Sequence, residues 1–346
     1  MKPETRNLKP KPDALIFDMD GVLVDVSRSY RAAIIRTVDI FFSQGMRLPA
    51  TDDTPLLTPN DVSLLKNAGG FNNDWDLTAA FITYFLDLLP PLSVSTLPLH
   101  RRIATLLAYL QIVSRGKPPL TMDELRAQKN IPALAEKVSL AGGGLSALET
   151  VLAGNNRHLV FGHGSLKKEN LIQRIFQEVY LGETLFAEIY GETPTVVRQP
   201  GVIRHETALI RTETLAALAQ KMPLGIATGR PRAEAEYTLT RLDIDRHFQA
   251  MLTHDDIFAA GARGKPDPWI LQETAKRLYP APAHPAYIGD TPDDIRAAKA
   301  AGFTAIGVLA TATDPTALRA QFESLGADAV IESPEEVNEL RIVNSE

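Results

Sequence analysis

Short apolar runs that stop at a polar residue mark both ends of this chain. Ala14-Leu15-Ile16-Phe17 ends at Asp18, and similar runs return late, at Leu224-Gly225-Ile226-Ala227, Ala286-Tyr287-Ile288, Ala305-Ile306-Gly307-Val308-Leu309 and Ala329-Val330-Ile331. Runs without polar alternation suit strands covered on both faces. Between the late runs the apolar spacing becomes helical: Ala235, Leu239 and Leu242 fall at i, i+4 and i+7, and Leu271, Ala275 and Leu278 repeat the pattern. Asp293-Asp294 suits a helix start and Gly302 its end. Alternating strands and helices predict an α/β fold, a Rossmann-like parallel sheet with helices on both faces.

The middle of the chain follows another pattern. Tyr30, Ile34, Val38 and Phe41 keep helical spacing, as do Leu106, Leu107, Leu110 and Val113, and Pro-rich or Gly-rich loops interrupt them at 48–59, 69–76, 89–98 and 141–145. Few strands are evident. The expected organisation is therefore a polar tail over 1–12, a core built from 13–26 and 207–346, and a large, mostly helical insertion over 27–206. A length of 346 residues is enough for two such units.

Composition narrows the function classes. The formal net charge of -6, with both signs interspersed, lacks the basic face that nucleic acid or an anionic membrane would favour. There is no cysteine, so disulfides, thiolate zinc sites and a cysteine nucleophile are all excluded. The N-terminal residues carry no apolar signal segment, and no run approaches the roughly 18 apolar residues of a membrane helix. A cytoplasmic protein with no nucleic-acid or membrane partner is the expectation, and the sequence leaves its oligomeric state open.

Four stretches carry chemistry. Asp18-Met19-Asp20-Gly21-Val22 puts two carboxylates at the end of the first predicted strand, where ligand sites of open α/β sheets form, so one can act as nucleophile and the other as proton shuttle. Asp-x-Asp-Gly also resembles part of a calcium loop, but the apolar continuation Val22-Leu23-Val24 lacks the further ligands that loop needs. Ile226-Ala227-Thr228-Gly229-Arg230 offers a hydroxyl and backbone N–H groups to a phosphate, or equally an ordinary helix cap, with Arg230 a solvated helix residue, the preferred reading, or a second anion contact. Gly264-Lys265-Pro266-Asp267-Pro268 holds a lysine in a stiff turn. Ile288-Gly289-Asp290-Thr291-Pro292-Asp293-Asp294 supplies oxygen ligands for a hard cation, or an acidic helix start. Singly, each has a bland reading; the conjunction supplies a nucleophile, an acid/base, a phosphate site and a metal site.

In order and wording the four stretches closely resemble the haloacid dehalogenase superfamily, in particular its phosphoglycolate-phosphatase-like branch with a helical cap inserted after the first motif. The resemblance covers residues 13 to 26 and 207 to 335. It implies a phosphatase in which Asp18 attacks phosphorus to form an aspartyl phosphate and Asp20 acts as general acid, then base. It further implies that Thr228, Gly229 and Lys265 hold the phosphoryl group, and that Mg2+ is bound by Asp18, the Asp20 carbonyl and Asp290, with Asp294 orienting a metal-bound water. The substrate implied is a small phosphorylated metabolite, chosen by the insertion. There, Asn72, Asn73 and Trp75 are the candidate substrate readers, through amide hydrogen bonds and a stacking face, with a capped turn as the competing reading. The loop around His163 and Lys167 is a weaker candidate for anion binding. A phosphosugar mutase, a phosphonatase using Lys66 or Lys167, and a non-catalytic binding or regulatory module are the alternatives. A dehalogenase fits less well, because those relatives lack a counterpart of Asp20.

Overall fold

In a computed structural model of the chain, residues 10–71, 73–92, 102–115 and 120–340 are described. They form two compact units: Met1–Val26 with Glu206–Glu346, and Ser27–His205. The sequence-based boundary lies one residue later, at 206.

The first unit is organised by a parallel sheet. Its strands are β1 (Ala14–Phe17), β4 (Leu224–Ala227), β5 (Ala250–Leu252), β6 (Pro285–Gly289), β7 (Thr304–Val308) and β8 (Ala329–Ile331), in the spatial order β5-β4-β1-β6-β7-β8. Two short strands, β2 (Val24–Asp25) and β3 (Thr207–Ala208), pair antiparallel beside it, Val24 opposite Ala208 and Asp25 opposite Thr207. The predicted sheet is present, and the apolar runs find the partners they need. All residues of β1, β4, β6 and β7 are buried, and β1 is bonded on both sides, Phe17 lying opposite Ile226 and Ile288. Alternation along β1 feeds two cores: Leu15 and Phe17 pack with Ile226, Ile288 and Val308 on one face, and Ala14 and Ile16 pack with Ile270, Tyr287 and Phe322 on the other. Because the chain runs from β1 to β4 and β5 on one side and then to β6, β7 and β8 on the other, the connections diverge at the C-terminal end of β1, the switch point where such sheets open a ligand crevice.

The helices of this unit start and stop for local reasons. Pro292–Ala301 begins with Thr291 as N-cap, in a reciprocal capping box with Asp294, carries Pro at its first position, and ends at Gly302 with φ 79°.

The second unit is helical: Tyr30–Ile40 continued by a π-helical turn Phe41–Gly45, then Pro59–Asn67, Asp74–Leu88, Ile103–Val113, Met122–Gln128, Ile131–Leu140, Gly144–Val151 and Leu171–Tyr190. The loops expected over 69–76 and 141–145 are shorter than the sequence suggests, since helices already begin at Asp74 and Gly144. Gly144 N–H donates to the carbonyl of Gly69 at 2.8 Å, so the two glycine-rich turns lie against each other. Among the described residues, no helix is long and apolar enough to cross a membrane.

Candidate active site

The site is assembled at the ends of β1 and β6. Burial of β1 fixes the backbone leading to Asp18, whose N–H donates to the carbonyl of Ile288 on β6 at 2.8 Å. The chain then turns tightly: Gly21 N–H donates to Val24 O, and Leu23 and Val24 N–H both donate to Met19 O. Gly21 has φ 75°, and a side-chain methyl there would fall onto the Asp290 carboxylate, so glycine is required on both counts. Asp290 follows β6 directly, and Asp294 is placed by the capping box of the next helix, its Oδ2 accepting from Thr291 N–H at 2.9 Å and Thr291 Oγ1 at 2.6 Å. Carboxylate oxygens of Asp18, Asp290 and Asp294 consequently lie within 4.8 Å of one another.

Lys265 enters this cluster. Its Nζ is 2.9 Å from Asp18 Oδ2 and 2.6 Å from Asp294 Oδ1, and donates to Tyr287 Oη at 2.9 Å. Burial alone would lower the Lys265 pKa, but Asp18, Asp294 and Tyr287 more than offset it and hold the ammonium well above its ordinary value. The carboxyls respond in the opposite sense to crowding. Burial pushes Asp18 up to about 7, with Asp294 and Asp20 adding repulsion and Lys265 pulling it down. Asp290 is raised strongly as well, by burial first and then by Asp294 and Asp18. One lysine does not balance three converging carboxylates. The donor set is all oxygen and under-compensated, which fits a hard divalent cation such as Mg2+ and not a soft one.

Sequence reasoning missed Tyr287, which appeared only as part of an apolar run. Its hydroxyl accepts from Lys265 and lies within hydrogen-bond distance of the Ala227 carbonyl, at 3.1 Å, and of Asp294 Oδ1, at 3.2 Å. It therefore ties the lysine to the ends of β4 and β6. The available signal was the residue type, since a phenol in a doubly covered strand must find a polar partner.

Thr228, just past β4, is 1% exposed, and its Oγ1 accepts from Arg230 N–H at 3.1 Å. A Cβ at Gly229 would meet nothing within 4 Å. Arg230 corrects the sequence reading. It is not solvated: its side chain is fully buried and pairs with Glu206, also fully buried, at 2.9 Å and with Asp20 at 2.5 Å. A charge taken out of water needs such partners, and one of them lies 24 residues upstream in sequence, where no local pattern reveals it. Asp293, beside the cluster in sequence, instead pairs with Arg296 at 2.7 Å on the surface.

The candidates in the insertion are placed differently. Asn72 lies outside the described residues. Asn73 is the N-cap of Asp74–Leu88: its Oδ1 accepts from Asp76 N–H at 2.7 Å and its Nδ2 donates to Asp76 Oδ2 at 2.6 Å. Trp75 is half-buried in the first turn of that helix. Lys66 pairs with Asp74 at 3.2 Å, and His163 and Lys167 are exposed.

Comparison with known proteins bears on the chain as a whole. A haloacid dehalogenase-like hydrolase family model matches residues 12–302. Phosphoglycolate phosphatases of Shigella sonnei and Escherichia coli are each 30% identical over 202 residues, covering 51% of this chain and 75% of theirs. An imidazoleglycerol-phosphate dehydratase of Phytophthora nicotianae is 27% identical over 328 residues, covering 92% of this chain; the chain spans 50% of that protein's length. An X-ray structure solved as a structural-genomics target shares the fold with a TM-score of 0.63 at 21% identity, covering 95% of this chain and 100% of its own. A cluster of carboxylates at the β1 switch point, a lysine held among them, and a family match running through both thus lead to one conclusion: the chain belongs to the haloacid dehalogenase-like hydrolase family, in the branch that includes the phosphoglycolate phosphatases.

Proposed function

We propose that the protein is a magnesium-dependent phosphomonoesterase that hydrolyses a small phosphorylated metabolite through an aspartyl phosphate on Asp18. The observation that carries this reading is the convergence of Asp18, Asp290 and Asp294 around Lys265. An Asp18 oxygen attacks phosphorus while the ester P–O bond breaks, and Asp20 gives its proton to the departing oxygen. Asp20 then takes a proton from water as that water attacks the phosphorus of the acyl phosphate, which releases phosphate and restores Asp18. Lys265, the Thr228 hydroxyl and the backbone N–H groups near Gly229 hold the phosphoryl oxygens, and Asp294 keeps Lys265 aimed. Mg2+ held by Asp18, Asp290 and the Asp20 carbonyl would supply the positive charge that lets an anionic nucleophile approach an anionic substrate. The insertion, residues 27–205, selects the leaving group; its position after the first motif supports this assignment.

The test is phosphate release from a panel containing phosphoglycolate, imidazoleglycerol phosphate, phosphosugars and nucleotides, after chelation and again with magnesium restored. Release is expected only with magnesium, and for few of the esters. Full turnover after exhaustive chelation removes the metal role, and no release from any ester removes the phosphatase assignment.

A further inference from the structure

We infer that Arg230 is a positioning residue for Asp20, held rigid by Glu206; this rests on the reading of Asp20 as the acid/base. The turn that presents Thr228 also fixes Arg230, through the Arg230 N–H to Thr228 Oγ1 bond. From there the guanidinium reaches two carboxylates. Nη1 donates to Glu206 Oε2 at 2.9 Å and to Thr238 Oγ1 at 3.1 Å; Nη2 donates to Glu206 Oε1 at 3.2 Å and to Asp20 Oδ1 at 2.5 Å. Glu206 is itself anchored, its Oε2 accepting from Thr238 Oγ1 at 2.8 Å and its backbone carbonyl from Arg241 Nη2 at 2.7 Å.

The stability of the fold accounts for only half of this arrangement. A buried guanidinium needs one counter-charge, and Glu206 supplies it in two-point geometry. Asp20, by contrast, is 31% exposed in its side chain and has water as an alternative partner. The second contact is therefore not needed to compensate either charge. Its effect is orientation: a carboxylate that must face first a leaving oxygen and then a water loses time in other rotamers, and a planar donor clamped from behind confines it. A lysine at 230, a point charge without the fork, would not reach both carboxylates in this way.

The role is read out by leaving-group dependence. An alkyl phosphate needs the Asp20 proton at its leaving oxygen, whereas 4-nitrophenyl phosphate departs as a stable anion and needs little help. The quantity measured is the ratio of kcat on the best alkyl phosphate of the panel to kcat on 4-nitrophenyl phosphate, for Arg230→Gln, Asp20→Asn and the combination. Arg230→Gln strands Glu206 as a buried charge, so the paired variant Arg230→Met/Glu206→Leu, which replaces the ion pair by apolar side chains, is measured alongside. In the folded variants the ratio is expected to fall by about tenfold or more, part of the range a positioned acid supplies, with KM changed little, and the Arg230 changes should add nothing once Asp20 is Asn. An unchanged ratio in the folded paired variant, or a further loss in the Asp20→Asn background, overturns the inference while leaving the phosphatase reading intact. An unchanged ratio in Asp20→Asn alone overturns the acid assignment, and the inference falls with it.

Discussion

Two buried carboxylate sites, one in each unit, are compensated in opposite ways. In the insertion, Glu178 is fully buried yet fully answered: its carboxylate accepts from the N–H groups of Thr195, Val196 and Val197 at 2.6, 2.7 and 3.1 Å and from Arg174 Nε at 2.6 Å. In the core, Asp18 and Asp290 face other carboxylates, and their protonation equilibria are displaced upward by burial and mutual repulsion. A satisfied buried carboxylate stabilises a fold, whereas a cluster that repels itself needs a reason to persist, and binding a cation and a phosphoryl group is such a reason. The contrast accords with the proposal that the core carries the phosphoryl chemistry, and four substitutions test it.

The largest effect is expected at Asp18. Asp18→Asn keeps the volume but removes the nucleophilic charge, and phosphate release should drop by more than about a thousandfold. Without a bound cation the variant should be at least as stable as the parent, because one member of a repelling cluster is neutralised. Rapid quenching of the parent with labelled substrate should trap an acyl phosphate that the variant never forms. Near-normal release by a folded Asp18→Asn protein, free of deamidation back to Asp, would refute the mechanism. Lys265→Met comes next. It removes the cation shared by Asp18 and Asp294, so turnover should fall by about a hundredfold or more, and urea unfolding without magnesium should show lower stability. A stable, active Lys265→Met protein would mean that neither the cluster nor the reaction depends on the Lys265 ammonium.

The third substitution probes an exception in the insertion. Asp39 accepts from Leu56 N–H at 2.8 Å, but burial outweighs this and its neighbouring cations and pushes it up to about 6. As pH rises, the unfolded chain loses this proton first, near the ordinary value of 3.8, so the contribution of Asp39 to stability is fully present below that value and is lost by about pH 6. Asp39→Asn escapes the loss. It should be more stable than the parent by about 3 kcal/mol at pH 7 and no more stable near pH 3.5, as read from urea midpoints across pH. A pH-independent difference would place Asp39 with the satisfied groups. The smallest effect belongs to Asn73→Ala, which removes a helix N-cap and should cost about 1 kcal/mol without reordering the substrates. Reordered substrates with unchanged stability would return this residue to substrate recognition.

The same contrast governs what the sequence made legible. β1, β4, β6, β7 and β8 were visible because continuous apolar runs have few alternatives once they alternate with helical spacing. β5 was not: Ala250–Leu252 is a three-residue edge strand, half-buried for most of its length, that follows the polar stretch Asp245-Arg246-His247. The carboxylates were visible because they follow the ends of strand runs, and Lys265 because prolines stiffen the turn that holds it. Arg230, Glu206 and Tyr287 depend on partners brought together only by the sheet, so their local sequence looks like a helix start, a linker and a strand. In the insertion the helices were legible but Asn73 was not, since an amide before an acidic helix start reads equally as a cap or as a ligand contact until its hydrogen bonds are seen.

The small antiparallel pair formed by β2 and β3 bears on how this chain carries so much sequence between its first strand and the rest of its sheet. Asp25 and Thr207 are direct neighbours across that pair, so both ends of the intervening segment are stapled side by side by hydrogen bonds belonging to the core. The entropy of closing a loop between fixed ends grows only with the logarithm of its length, about 0.6 kcal/mol for each doubling. For the core, the length of the intervening chain is thus nearly a neutral variable. Residues can be gained or lost there without disturbing the strand register that aligns the acidic cluster, which leaves the intervening segment free to diversify while the chemistry stays fixed.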